Sequence, residues 1–158
     1  TNFPLKEIQP MPQINWTRLI IGGLVAALIM FVTDGFFHEK IVKADWQAIY
    51  AGLRAAEPEP HGTGLAYFAI FELGRGMISL LLYATMRMHF GPGPRTAVLA
   101  AIAGCVAFSL TGPVQFIPLG FFSNALWLKV GAFHLVTSII ATLAGAALYK
   151  DAQAKVYA

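Results

Sequence analysis

Residues 66–84 read AYFAIFELGRGMISLLLYA, an apolar run that contains two ionised side chains, Glu72 and Arg75. About 20 consecutive apolar residues are enough for a helix to cross the hydrocarbon core of a bilayer. A charge at that depth costs free energy unless it is paired, so these two residues need a structural or functional reason. Because they lie three positions apart, they share one face of a helix and can pair with each other.

The composition of the whole chain is typical of a membrane protein. Of its 158 residues, 57% are hydrophobic and 12% are charged, whereas soluble domains carry roughly 25% charged residues. The mean hydropathy is +0.63. The net charge of +3 would suggest nucleic-acid binding in a soluble protein. Here the basic residues lie at the ends of apolar segments, where they set orientation, so no nucleic-acid partner is expected.

Four apolar segments predict an all-α integral membrane protein, a four-helix transmembrane bundle that forms a single domain over residues 1–158. At about 20 residues per span, four spans and their connections fill this length and leave no room within it for a soluble catalytic domain. The predicted spans are about 17–38, 64–88, 95–112 and 124–149.

An amphipathic interfacial helix is predicted between the first and second spans, over about residues 45–56. Its apolar residues recur at the spacing of one helix face, and Asp45 precedes them as the expected N-cap. We expect residues 1–15, which contain three prolines, to be extended. Residues 113–123 are apolar but broken by Pro and Gly, so they should lie in the interface or against protein. The stripe of the amphipathic helix is Trp46, Ile49, Tyr50 and Leu53.

Lys and Arg are more numerous at one end of the predicted bundle than at the other, and basic residues favour the cytoplasmic side. We therefore expect a multi-pass protein of a bacterial inner (cytoplasmic) membrane, with both termini in the cytoplasm. The side assigned to the cytoplasm carries Lys6, Arg18, Arg87, Arg95, Lys150 and Lys155. The other side balances Lys40, Lys43, Arg54 and Lys129 against Glu39, Asp45, Glu57 and Glu59.

Polar residues on three of the predicted spans fall at a similar depth, given a rise of about 1.5 Å per residue. We call them the polar cluster: Asp34, Glu72, Arg75 and His134. Stripes of small residues surround them and mark the faces on which helices meet. The stripes are Gly23, Ala27, Met30, Asp34 and His38; Glu72, Arg75, Gly76 and Ser79; Ala97, Ala101, Gly104 and Ser109; and Gly131, His134, Ser138, Ala141 and Gly145.

Three interpretations of the polar cluster remain open. It can be a satisfied network that only specifies how the helices pack. It can be a site for a ligand or a proton, with an anionic group held by Arg75. It can also include a metal or tetrapyrrole ligand, His134 with His38 as the second, since imidazole binds haem iron and chlorophyll magnesium. His38 lies about a turn and a half from the layer of His134, which weakens this third interpretation.

Catalytic motifs are missing from the sequence. His38-Glu39 begins the zinc-protease pattern HExxH, but its second histidine would be residue 42, which is Val42. No GxSxG, P-loop or GxGxxG motif occurs, and no metal site is predicted. The single cysteine, Cys105, excludes an internal disulfide. We therefore expect a protein that is not an enzyme.

The turn between the second and third spans carries a resemblance. Residues 82–97, LYATMRMHFGPGPRTA, and residues 143–149, LAGAALY, resemble a group of small uncharacterised bacterial membrane proteins with four spans. In that group an LYA…R…FGPGP(K/R)TA segment forms the turn between spans 2 and 3, and an acidic residue late in span 1 is typical, as Asp34 is here. The resemblance implies the architecture and a bacterial source, and it carries no activity.

Together these features favour a non-catalytic accessory or scaffolding subunit of a larger bacterial membrane complex, organised around the polar cluster. The first alternative is a small membrane binding or transport protein for an apolar or anionic ligand. The second is a haem- or chlorophyll-binding subunit, although no cofactor is predicted. The expected partners are the lipid bilayer and other membrane subunits, with a homo-oligomer as a further alternative.

Overall fold

The structure, a computed structural model, describes residues 13–53, 63–121 and 123–151. Residues 1–12 of the predicted extended segment and the end of the predicted amphipathic helix lie outside this part of the chain. The described residues form α1 (Trp16–Lys40), α2 (Lys43–Leu53), α3 (Thr63–Phe90), α4 (Pro94–Cys105), a π-helical segment (Val106–Leu110), α5 (Thr111–Val114) and α6 (Asn124–Leu148).

Four helical spans are long and apolar enough to cross a membrane. They are α1, α3, the continuous run from α4 to α5, and α6, and their ends lie within two residues of the predicted bounds. This confirms an all-α four-helix bundle of the integral membrane class. Large apolar side chains cover the outside of the bundle, where they contact lipid. Leu28, Val32, Ile70 and Leu128 are each at least 60% exposed.

Small residues allow the helices to approach closely, as the stripes predicted. A Cβ atom added to Gly76 of α3 would lie 2.5 Å from the backbone nitrogen of Ala27 on α1. A Cβ added to Gly145 of α6 would lie 2.5 Å from the carbonyl oxygen of Gly22 on α1. All residues of the four predicted stripes are buried except His38, which is half-buried. The small-residue faces are therefore the helix–helix contacts of the bundle.

α2 lies across one end of the bundle, which we call the α2 end. Its Trp46 and Ile49 pack on the apolar cluster of Phe37, Val42 and Leu126. The predicted N-cap, Asp45, was wrong. α2 begins at Lys43, because the backbone N–H of Trp46 already donates to the carbonyl of Val42 at 3.1 Å. Asp45 lies instead in the first turn, where its carboxylate accepts from Lys129 Nζ of α6 at 2.9 Å.

The third span is not a uniform α-helix. Pro113 lacks a backbone N–H, and in a regular helix its ring would clash with the carbonyl of Ser109, four residues earlier. The chain relieves that clash by widening into the π-helical segment, in which the N–H of Thr111 donates to the carbonyl of Val106. Beyond α5, residues 115–121 form turns, as predicted for the segment 113–123, but the first two residues of that segment belong to α5.

The α3–α4 connection is a tight turn in the GPGP segment, residues 91–94. Gly91 and Gly93 have φ angles of 80° and 133°, in a region that glycine enters without steric cost. Pro94 then occupies the first turn of α4, a position where its missing N–H is not needed. The hydroxyl of Thr96 donates to the Gly91 carbonyl at 2.7 Å and closes the turn.

Candidate functional site

Arg75 is the centre of the polar cluster. Its Nη1 donates to Asp34 Oδ2 of α1 at 2.5 Å and to the two oxygens of Glu72 at 3.0 and 2.9 Å. Its Nη2 donates to Ser138 Oγ of α6 at 3.2 Å. Arg75, Glu72 and Asp34 are 5%, 1% and 0% exposed. One guanidinium thus joins three spans inside the bundle.

His134 completes the cluster from α6. Its Nε2 lies 3.1 Å from Asp34 Oδ2, a contact distance, although the two groups lack the alignment of a hydrogen bond. The side chain is 7% exposed, and within the described part of the chain neither ring nitrogen has a hydrogen-bond partner. The structure therefore brings together all four predicted residues, and it leaves the imidazole the least satisfied of them.

His38 lies closer to His134 than the predicted depths of the two residues along their spans indicated. The two ring centroids are 6.1 Å apart. His38 Nδ1 accepts a hydrogen bond from Trp46 Nε1 at 2.8 Å, which orients the ring from α2. Beside them, Phe37 and Phe133 stack at 3.9 Å between centroids. The two histidines thus line one region of the α2 end.

The polar cluster carries more negative than positive formal charge. Asp34 and Glu72 supply two carboxylates, while Arg75 supplies one guanidinium. A neutral His134 therefore leaves one buried negative charge without a matching cation. Since an uncompensated buried charge is costly, this site favours a proton or another cation.

A cavity of about 500 Å³ lies between the polar cluster and the α2 end. Its polar walls are Glu72, Ser109, His134 and His38, and Lys43 and Glu39 stand at its rim. Lys43 Nζ and Glu39 Oε1 pair at 2.7 Å, so the rim is electrically balanced. The remaining walls are largely aromatic: Trp46, Tyr50, Phe68, Phe71 and Trp127.

Ser109 lies at the site, although the sequence analysis placed it only on a helix-contact stripe. It is 4% exposed, it lines the cavity, and its Oγ has no hydrogen-bond partner among the described residues. It lies on the π-helical segment, an element often found at functional sites. Pro113, four residues later, was the available signal, because it predicts a disturbed turn at Ser109.

Among the described residues, no group of three or more His, Cys, Asp or Glu side chains could hold a metal ion. His134 Nε2 faces Asp34 and His38 Nδ1 is bound by Trp46. A metal ion or haem at this site would therefore meet Nδ1 of His134 and Nε2 of His38.

Comparison of the chain with protein-family models, with curated proteins and with solved structures finds no match. The resemblance based on the GPGP turn stays a prediction.

Proposed function

We propose that this protein is a non-catalytic binding protein of the bacterial inner membrane, which holds a small amphipathic molecule in the cavity beside the polar cluster. One observation supports this most directly. Ser109 and His134 line the cavity, and within the described part of the chain Ser109 Oγ and His134 Nδ1 are buried without hydrogen-bond partners. Leaving a buried polar group unpaired costs about 1–3 kcal/mol.

A purely structural network would be expected to leave few such groups, although Thr142 Oγ1, which is away from the cavity lining, is another among the described residues. Buried polar atoms in folded proteins are nearly always satisfied, and a half-satisfied network stabilises less than an apolar core. A ligand with its own polar atoms would satisfy Ser109 and His134 once these buried side chains turn toward it. The volume of about 500 Å³ falls within the range of small-molecule sites, about 300–1,000 Å³.

Glycine 35 offers a clean test of the cavity. It lines the cavity, and a Cβ added there would meet its nearest neighbour, Phe68 Cε1, at 4.0 Å. Gly35→Leu should therefore occupy part of the cavity and obstruct a ligand without disturbing the backbone. The matched control is Gly74→Leu on α3, where a Cβ would meet nothing within 4 Å.

Native mass spectrometry of the protein purified from its own membrane should then show a bound small molecule. We expect the adduct in the wild type and in Gly74→Leu, and its loss in Gly35→Leu. Equal adducts in all three proteins, or none in the wild type, would contradict cavity binding.

A second role, as an accessory subunit of a larger membrane complex, is supported by residues 115–121. This segment is irregular, yet Leu119 is 66% exposed and Phe116 and Phe121 are each 40% exposed. Irregular backbone near a bilayer is stable where protein covers it. We propose that a helix of a neighbouring subunit packs there, or a second copy of this chain. Photo-crosslinking from position 119 in native membranes tests this, and crosslinks to lipid alone would contradict it.

A further inference from the structure

The charge and the wall chemistry of the cavity restrict what it can bind. Arg75 was the residue expected to hold an anionic ligand. Its Nη1 and Nη2 are instead directed to Asp34, Glu72 and Ser138, and it is not part of the cavity lining. The charged group at the inner wall of the cavity is the Glu72 carboxylate.

The buried charges favour a positively charged occupant. Asp34 and Glu72 outnumber Arg75 by one formal charge, and the Lys43–Glu39 pair at the rim adds none. A cation next to Glu72 would neutralise the excess inside a region of low dielectric, where charge pairing is strongest. An anion there would add to the repulsion.

Aromatic walls act in the same direction. Trp46, Tyr50, Phe68 and Trp127 surround the space outside Glu72. The faces of aromatic rings attract organic cations, and the effect is larger when the cation is desolvated. These rings also provide apolar contact for the body of a hydrophobic molecule.

The unpaired polar atoms are suited to accept hydrogen bonds. A carboxylate can only accept, so we assign the proton of a neutral His134 to Nε2, which faces Asp34 at 3.1 Å. Nδ1 then presents a lone pair. Ser109 lines the cavity, and its buried Oγ adds two more acceptor lone pairs. An ammonium N–H would satisfy either atom once its side chain turns toward the cavity, because both atoms are buried.

We propose that the cavity binds a lipophilic organic cation, with its charge beside Glu72 and its apolar body against the aromatic walls. This assignment rests on the proposed function of the cavity and specifies the chemistry of its ligand. An amine reaching the cavity from the bilayer or from water would bind in the same way.

Two probes of nearly equal size and opposite charge test the assignment. Tetraphenylphosphonium is the cation and tetraphenylborate the anion, with triphenylphosphine oxide as an uncharged relative. Binding is measured to the protein in nanodiscs, by equilibrium dialysis and by quenching of Trp46 and Trp127 at the cavity. The third tryptophan, Trp16, begins α1 at the opposite end of the bundle and should be quenched less.

We expect saturable binding of one tetraphenylphosphonium per chain, retained in Gly74→Leu and lost in Gly35→Leu. Glu72→Gln should weaken it about tenfold or more, because the charge partner is lost while the side-chain shape is kept. Phe68→Leu should weaken it about threefold or more without touching the charge network. The Phe68→Leu variant therefore remains informative if Glu72→Gln fails to fold. Size-exclusion chromatography would show such a failure.

Saturable binding of tetraphenylborate or of the phosphine oxide at equal or higher affinity would overturn the cation assignment, while binding by the cavity itself would stand. The cation assignment would also fail, and cavity binding would still stand, if no probe binds while native mass spectrometry shows an adduct that Gly35→Leu removes. Unchanged cation affinity in both Glu72→Gln and Phe68→Leu would also overturn it.

Discussion

Arg75 Nη1 lies 2.5 Å from Asp34 Oδ2, although 41 residues separate the two in the chain. The contact joins α3 to α1, and Ser138 on α6 accepts from the same guanidinium. Such a network has one arrangement in which all partners meet, so it fixes the relative position of three helices. Its net contribution to stability can nonetheless be small, because charges lose their hydration when buried.

Removing Arg75 alone should therefore cost much more free energy of unfolding than the intact network contributes. Arg75→Leu leaves two buried carboxylates without a cation, and we expect a loss of about 3–5 kcal/mol in the free energy of unfolding. Unfolding in mixed micelles, followed by circular dichroism, measures this. Arg95→Leu is the control, because Arg95 is exposed at the start of α4.

Neutralising the acids should recover part of that loss. Asp34→Asn and Glu72→Gln, added to Arg75→Leu, remove the uncompensated charges and keep the side-chain shapes. A triple variant no more stable than Arg75→Leu would show that the guanidinium acts through packing and not through charge.

Two glycines should respond to alanine with opposite signs. At Gly145 the new Cβ would lie 2.5 Å from the Gly22 carbonyl oxygen, so Gly145→Ala must separate α6 from α1, at a cost of about 1–3 kcal/mol. At Gly74 no atom lies within 4 Å of it, and Gly74→Ala should stabilise by about 0.5–1 kcal/mol. The same unfolding assay compares them. Equal effects would contradict the close α1–α6 contact.

The polar cluster could be predicted because helix geometry converts sequence spacing directly into depth and face. Asp34, Glu72, Arg75 and His134 are each placed by a rise of about 1.5 Å per residue and by a small-residue stripe. His38 was placed less well. Backbone depth ignores the reach of a side chain, and its ring lies 6.1 Å from that of His134.

The cavity could not be predicted in the same way. Ser109 faces it from a π-helical segment, in which one extra residue per turn shifts the faces that a regular 3.6-residue period would assign. The N-cap at Asp45 failed for a related reason. The start of α2 is set by the Trp46–Val42 backbone bond, which side-chain preferences do not encode.

The proposed topology can be tested by cysteine labelling in a Cys105→Ala background. Ala44 lies on α2 and Arg95 at the opposite end of the bundle, and both are exposed. Because the basic excess lies at the end of Arg95, we expect that end in the cytoplasm. A membrane-impermeant maleimide added to spheroplasts should label Ala44→Cys and not Arg95→Cys. The reverse pattern would overturn the orientation.

His134 separates the ligand site from a tetrapyrrole site. We expect the purified wild-type chain to show no visible absorption band, and His134→Gln to keep a donor and an acceptor at the cavity. The absorption spectrum from 350 to 900 nm checks this, with His89→Gln as the control. A stoichiometric band in the wild type that is lost in His134→Gln alone would favour the haem or chlorophyll interpretation.

The last prediction concerns the origin of the cavity wall. Pro113→Ala restores an N–H that can donate to the Ser109 carbonyl and removes the ring that clashes with it. We expect the π-helical segment to relax toward an α-helix, which turns Ser109 away from the cavity, and the affinity for tetraphenylphosphonium to fall about threefold or more. Pro94→Ala is the control for loss of a proline ring, since Pro94 lies in the first turn of α4, where no backbone N–H is required. Pro113, unlike Pro94, also lines the cavity, so circular dichroism must show the change in helix along with the change in affinity. If both variants bind the probe like the wild type, packing on α6 holds the π-helical segment and Pro113 does not.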